Sequence, residues 1–400
     1  INFTEDVKME YAFSDRIKNM TGNAIRDIFK LLARPEVISF AGGMPAADAL
    51  PAEQIREIAS QVLKDDPTGI LQYGATEAYA PLRQSAAQFV KDAAKVNCSP
   101  EDLFIISGGQ QGLDLACKAF LNKGDRVLVE RPTYLAALQI MATYEAEVHS
   151  VNMDEEGMLL DELEEKLKIY SPKLIYTIPN FQNPTGRTAS LERRRKYLEL
   201  AEKYNAVIIE DDPYGLLRYE GEAVPSIKSM DTVGRVIYVT SFSKVISPGL
   251  RVGAAVAAPT LLRKMIIGKQ ATDVHTNSLS QAIIDKFLRL GYMPEQLAKS
   301  NKIHSERMNK MQEMIKQYFP SNVKYTRPSG GLFIWAELRE DINTLDVLQK
   351  STQRDVAFIP GSHFFAEGDG LNTMRLNFSN SSFERIEKGS KILAETIAEF

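Results

Sequence analysis

Cysteine is nearly absent from this 400-residue chain, with Cys98 and Cys117 the only two. They are too few for a disulfide framework, and their apolar or helical surroundings suit small core residues. Histidine is also scarce. His149, His275, His304 and His363 are scattered with no metal-ligand spacing among them, so no metal site is expected. Neither sign of charge dominates. The 48 Lys and Arg against 52 Asp and Glu give a net −4, which offers no general attraction for nucleic acid or anionic membranes. No apolar run approaches a membrane span, and the polar start Ile1–Glu10 is unlike a secretory signal. These absences leave a cytoplasmic enzyme as the expectation. What is present, 44% hydrophobic and 25% charged residues, is ordinary for a globular chain. The length allows one large core and a smaller second one.

From Leu103 onward, strand and helix patterns alternate. Leu103–Ile106, Arg126–Glu130, Glu147–Val151, Lys173–Ile178, Ala206–Glu210 and Val236–Thr240 read as strands separated by helical stretches. Unbroken apolar strands of this kind imply a mostly parallel sheet covered by helices on both faces. Ahead of them, helices are expected over Asn23–Leu32, Glu53–Leu63 and Pro81–Lys95. Beyond Pro259 the spacing predicts helices over Thr260–Lys269, Leu279–Leu290 and Pro294–Phe319. Strands at Gly331–Glu337, Val356–Ile359 and Met374–Asn377 then alternate with helices. The expected fold class is α/β: a large domain over 71–290 with a mostly parallel sheet sandwiched by helices, and a smaller α+β domain over 291–400. Residues 1–70 are expected to supply an N-terminal arm and part of the small domain.

Ligands of such sheets bind outside the carboxyl ends of the strands, and four unusual segments fall there. Ser107-Gly108-Gly109-Gln110-Gln111-Gly112 feeds a helix, which makes bare N–H groups available to an anion. Asn180-Phe181-Gln182-Asn183-Pro184-Thr185-Gly186 is a rigid polar turn, and Asp211-Asp212-Pro213-Tyr214 closes an apolar strand. Ser241-Phe242-Ser243-Lys244 ends another, followed by a Pro248-Gly249 turn that folds Arg251 back towards Lys244. A lysine beside a second cation is pushed towards the neutral amine that attacks carbonyls. Taken one at a time, Lys244 suits a solvated loop, Asn183 and Asp211 suit turns, and Tyr134 and Tyr214 suit a core. Taken together they match what a phosphorylated pyridine aldehyde needs when held on Lys244 as a Schiff base. Gly109, Gln110, Ser241, Ser243 and Arg251 suit the phosphate, and Asp211 suits the ring nitrogen. Asn183 and Tyr214 suit the phenolic oxygen, and Tyr134 suits the ring face. Farther upstream, Gly42-Gly43 lets backbone approach a ligand closely.

These motifs resemble the fold-type I, pyridoxal-phosphate-dependent aminotransferases of class I/II over nearly the whole chain. The specific parts are Asn183-Pro184-Thr185-Gly186, Asp211-x-x-Tyr214, and Ser241-x-Ser243-Lys244 with Arg251 seven residues on. Phe40-Ala41-Gly42-Gly43-Met44-Pro45 and Pro179-Asn180-Phe181-Gln182 are similar to the 2-aminoadipate, kynurenine and broad-specificity branch. The resemblance implies pyridoxal 5'-phosphate as cofactor and exchange of an amino group between an L-amino acid and a 2-oxo acid, most often 2-oxoglutarate. It implies Lys244, Asp211 and Tyr214 as catalytic residues. It also implies a homodimer with shared active sites, in which Tyr73 reaches the neighbouring subunit's phosphate. Arg375 would grip the substrate carboxylate, with Gly43 and Asn183 beside it and Arg16 or Arg26 reading the side chain. Rival readings are a carbon–sulfur lyase or decarboxylase on the same cofactor, and a ligand-sensing regulator domain. The regulator would need a basic DNA-binding module ahead of a fold that here begins within about forty residues of Ile1.

Overall fold

The computed structural model describes residues 11–18 and 34–400. The expected helix Asn23–Leu32, and Arg26 within it, lie outside the described residues. Strand β1 (Ile38–Ser39) stands apart from the main sheet. That sheet is built from β2 (Leu103–Ile106), β3 (Arg126–Arg131), β4 (Glu147–Asp154), β5 (Gly157–Met158), β6 (Leu174–Thr177), β7 (Val207–Asp212), β8 (Val236–Ser241) and β9 (Gly253–Val256). Their order is β2-β9-β8-β7-β6-β3-β4-β5. Strands β4, β3, β6, β7 and β8 pair in parallel, while β9 runs antiparallel to both β2 and β8. Strand β2 therefore points the same way as β8, and the carboxyl ends of β2, β3, β6, β7 and β8 share one edge.

Strands β2, β6, β7 and β8 are buried at every residue, which is why they read as continuous apolar runs rather than alternating ones. Each Ile, Leu or Val so buried contributes roughly 1.5–3 kcal/mol. Helix Gly109–Phe120 lies against the sheet at Gly112, where a Cβ would come within 2.8 Å of both Ile106 and Val239. Only glycine permits that approach.

Strand β9 was not expected from the sequence. Its Gly253-Ala254-Ala255-Val256 run is buried throughout, but small residues carry little of the β-branched signal that marks a strand. The short helix Pro67–Leu71, capped by Asp66 accepting from the Gly69 amide, was likewise not expected.

Strands β10 (Lys324–Tyr325), β11 (Phe333–Glu337), β12 (Val356–Ala357), β13 (Ile359–Pro360) and β14 (Thr373–Asn377) follow. The expected single strand Val356–Ile359 is in fact two. β12 pairs with β1, whereas β13 joins a four-stranded sheet in the order β10-β11-β14-β13. Phe358 sits between them, buried in a second core that includes Ile38, Phe40, Ile334, Met374, Leu376 and Ile386. Helix Met293–Tyr318 serves both cores. Its first residue Met293 packs with the large sheet, and Met308, Met311, Met314 and Ile315 pack in the second core. Among the described residues no helix is long and apolar enough to cross a membrane. None of their His, Cys, Asp and Glu groups is arranged to hold a metal ion.

Candidate active site

The shared strand edge opens into a cavity of about 440 Å³. Gly43, Gly109, Gln110, Tyr134, Asn183, Asp211, Tyr214, Ser241, Ser243, Lys244, Arg251 and Arg375 all line it. The sequence separation of these residues is large, and the sheet brings them together.

Lys244 follows β8 by three residues, and its Nζ donates to the Gly43 carbonyl oxygen at 2.7 Å. Burial, then the nearby guanidinium groups of Arg375 and Arg251, pull its ammonium down to about 8. Arg251 has a left-handed backbone (φ 54°) just after the Pro248–Leu250 turn. Its Nη2 donates to the Ser107 carbonyl at 3.1 Å, and its Nη1 lies 3.5 Å from Ser243 Oγ. Ser241 Oγ donates to Ser243 Oγ at 2.9 Å. Gly108 (φ 88°) faces this cation so closely that a Cβ there would meet Arg251 Nη2 at 2.5 Å. The N–H groups of Gly109 and Gln110 open the next helix with no side-chain cap and no acceptor among the described residues. Two free amides, two hydroxyls and one guanidinium form an anion cradle at the end of β2 and β8.

At the end of β7, Asp211 is buried and accepts from the Tyr176 hydroxyl at 2.8 Å. Burial raises its carboxyl to about 7; the Tyr176 bond acts the other way and the neighbouring Asp212 adds to the rise. A buried carboxylate in want of a cation is suited to a protonated ring nitrogen. Asn183 Nδ2 lies 3.4 Å from the Tyr214 hydroxyl, and Asn183 Oδ1 accepts from Arg375 Nη1 at 2.8 Å.

Arg375, on β14, donates its Nη2 to the Ala41 carbonyl at 2.6 Å. Its guanidinium lies over the Phe333 ring at 4.2 Å and the Phe364 ring at 5.0 Å. Burial holds the group down to about 10, and its Nε is buried with no partner among the described residues. A fully desolvated guanidinium with an unused donor is prepared for an anion.

Two expected residues are elsewhere. Tyr73 is 81% exposed, edge-on to His275 at 6.0 Å and outside the cavity of its own chain. Arg16 is exposed on the short helix Asp15–Lys18, which packs on helix Leu135–Thr143. Its charge acts on Tyr144, just past the far end of that helix. Leu135, Ala136 and Gln139 face the cavity from the near end. About 13 Å of helix separates Leu135 from Tyr144, and Arg16 does not line the cavity of its own chain.

Other residues were not singled out from the sequence. Buried Glu130 accepts from Thr177 Oγ1, the Ile178 amide and Gln182 Nε2, and Gln182 in turn accepts from the Thr185 amide and hydroxyl. This frame fixes the turn that presents Asn183. Tyr176 carried no signal at all, being one aromatic residue in an apolar strand.

The cavity can hold a phosphorylated pyridine aldehyde. The cradle would take the phosphate, Asp211 the ring nitrogen, Asn183 and Tyr214 the ring oxygen, and Lys244 the aldehyde carbon. The sheet, the crevice and this donor set define a fold-type I enzyme dependent on pyridoxal 5'-phosphate. The family model for aminotransferase class I and II matches residues 35–392, and the chain belongs to that family. It is 44% identical over 395 residues to aromatic-amino-acid aminotransferase 1 of Thermococcus litoralis, covering 98% of this chain and 95% of the relative. It is 38% identical over 390 residues to the 2-aminoadipate transaminase of Thermus thermophilus, covering 96% of each. The solved structure of Pyrococcus horikoshii kynurenine aminotransferase, with PMP and kynurenine, superposes with a TM-score of 0.93 at 41% identity and covers 97% of each chain. The protein is a pyridoxal-phosphate-dependent aminotransferase that moves an amino group between an amino acid and a 2-oxo acid.

Proposed function

We propose that this aminotransferase has a broad donor range centred on large side chains, aromatic, branched-chain and 2-aminoadipate, with 2-oxoglutarate as acceptor. The observation that carries this is the wall beside Arg375. Leu135, Ile359, Phe364 and Trp335 belong to one apolar cluster, and Leu135, Ile359, Phe333, Met44 and Ala136 face the cavity. A carboxylate held by Arg375 and an amino group near Lys244 leave the side chain against this apolar surface. Gln139 is the polar group there, a neutral amide able to donate to an acidic or keto-bearing side chain.

When bound, pyridoxal phosphate supplies an electrophilic carbon and a ring that takes up negative charge. The chain supplies the rest. Arg375 orients the substrate by its carboxylate, Lys244 as the neutral amine takes the α-proton of the donor and in the second half-reaction gives one to the α-carbon of the acceptor, and Asp211 keeps the ring nitrogen protonated.

A wall that is mostly apolar lacks the dedicated hydrogen-bonding groups by which sites reject analogues by about 10⁴-fold or more. Phenylalanine, kynurenine, leucine and 2-aminoadipate are therefore expected to give kcat/KM values within about 10²-fold of one another with 2-oxoglutarate. One donor favoured by 10⁴-fold or more would overturn the broad range. Glutamate alone should yield one 2-oxoglutarate per site and stop; continued turnover with loss of carbon dioxide would favour a decarboxylase.

The working unit is proposed to be a homodimer. The support is Tyr73, a largely exposed aromatic beside His275 with no role in its own cavity. Sedimentation should give twice the 44.7 kDa of the chain, and a monomeric holoenzyme with full activity would exclude the arrangement.

A further inference from the structure

Behind the phosphate cradle, outside the cavity, lies a charge pair of buried Lys269 and half-buried Asp273 with no role in the chemistry above. Lys269 is fully buried, and its Nζ donates to Asp273 Oδ1 at 3.0 Å and to Gln111 Oε1 at 2.7 Å. Asp273 Oδ2 also accepts from Gln111 Nε2 at 2.7 Å and from Ser107 Oγ at 3.0 Å. Gln111 Oε1 accepts from the Ser107 amide at 2.7 Å as well. The Ser107 carbonyl accepts from Arg251. Ser107 is thus held by its amide, carbonyl and hydroxyl, and Gln111 by both ends of its carboxamide. Between these two clamped residues stand Gly108, Gly109 and Gln110, which carry the cradle's amides. Two of the three are glycines, with no side chain of their own to fix them.

The backbone beside Asp273 carries a second sign of constraint. Val274 has a φ of 65°, a left-handed conformation that a β-branched residue rarely adopts. Such outliers persist where surrounding contacts over-determine them. Here the turn follows helix Pro259–Thr272 directly, and it sets the Asp273 carboxylate against both Ser107 and Gln111.

We propose that the Lys269–Asp273 pair is a positioning element for the cofactor phosphate, clamping Ser107 and Gln111 so that the Gly109 and Gln110 amides stay aimed into the cavity. An ion pair placed here for general stability would support the whole fold evenly. A clamp on the cradle acts on the phosphate alone, because Asp211, Asn183, Tyr214 and Lys244 take no bond from it. The effect should therefore separate pyridoxal 5'-phosphate from pyridoxal, which lacks the phosphate.

The test is titration of apoenzyme with each compound, followed by absorbance, in wild type, Asp273→Asn and the double variant Lys269→Met/Asp273→Leu. The double variant removes both charges and guards against a variant that fails to fold because buried Lys269 has lost its counter-charge. Loss of charge-assisted bonds at the clamp should weaken pyridoxal 5'-phosphate by about tenfold or more. Pyridoxal binding should stay within about twofold. Equal weakening of both compounds would overturn the proposal and leave a structural ion pair, and unchanged binding of both would overturn it outright.

Discussion

Lys244→Ala is expected to slow transamination by about 10³-fold or more and to remove the visible absorption that the lysine–cofactor link gives the resting enzyme. Both effects follow from where the amine sits. Its Nζ is 2.7 Å from the Gly43 carbonyl, and both residues line the crevice. Burial with Arg375 and Arg251 nearby lowers it to about 8. At pH 7 roughly one Lys244 in ten is then a neutral amine, against about one in three thousand for an ordinary lysine. Reaction of apoenzyme Lys244 with a small aldehyde should therefore rise about tenfold per pH unit up to about pH 8 and level off above it. A midpoint near 10 would mean that neither burial nor the two guanidinium groups act on it. Lys244→Arg keeps a cation in place while removing the nucleophile, and should be as inactive as the alanine variant. Alanine-variant enzyme with a wild-type spectrum would remove Lys244 from its role.

Much of this site is visible in the sequence because strand ends are punctuated. Lys244, Asp211 and Asn183 each follow an apolar run that stops abruptly, and the parallel sheet dictates that such stops gather at one edge. Residues acting through the backbone of others leave no such mark. Tyr176 and Glu130 are buried within strands, where an aromatic or a single acid reads as part of the run. The Lys269–Asp273 clamp reads as an ordinary i, i+4 pair on a helix surface; only the packing of helix Pro259–Thr272 against helix Gly109–Phe120 turns it inward. Arg16 is a different case. A charged residue in an N-terminal arm suits a substrate contact, but its place beside Tyr144 depends on tertiary docking that no local pattern encodes. The strand β9 was missed for a third reason, since Gly253-Ala254-Ala255 packs by smallness, and smallness has no periodicity.

Asp211→Asn should leave a protein that binds cofactor but turns over about 10²–10³-fold more slowly. A carboxylate beside a protonated ring nitrogen favours that proton by about two to three pKa units, and each unit is a factor of ten in an equilibrium. The asparagine can still accept from the Tyr176 hydroxyl that now bonds Asp211 at 2.8 Å. Its other end becomes an N–H donor, which matches an unprotonated ring nitrogen and not a protonated one. The same change should stabilise the apoenzyme. Burial raises the Asp211 carboxyl from 3.8 to about 7 in the folded protein. Above pH 7 both folded and unfolded forms carry the charge, and the folded state bears the full desolvation cost, on the order of 4 kcal/mol. Below pH 4 both forms are protonated and that cost vanishes. Asp211→Asn apoenzyme should therefore melt above wild type at pH 8, with the gain shrinking as the pH falls from 7 towards 4. Opposite outcomes in turnover and melting temperature from one substitution would mark Asp211 as a group kept for chemistry at the expense of stability. Near-normal turnover would take it out of the ring-nitrogen role, and a lower melting temperature at pH 8 would show that its charge is already matched in the absence of cofactor.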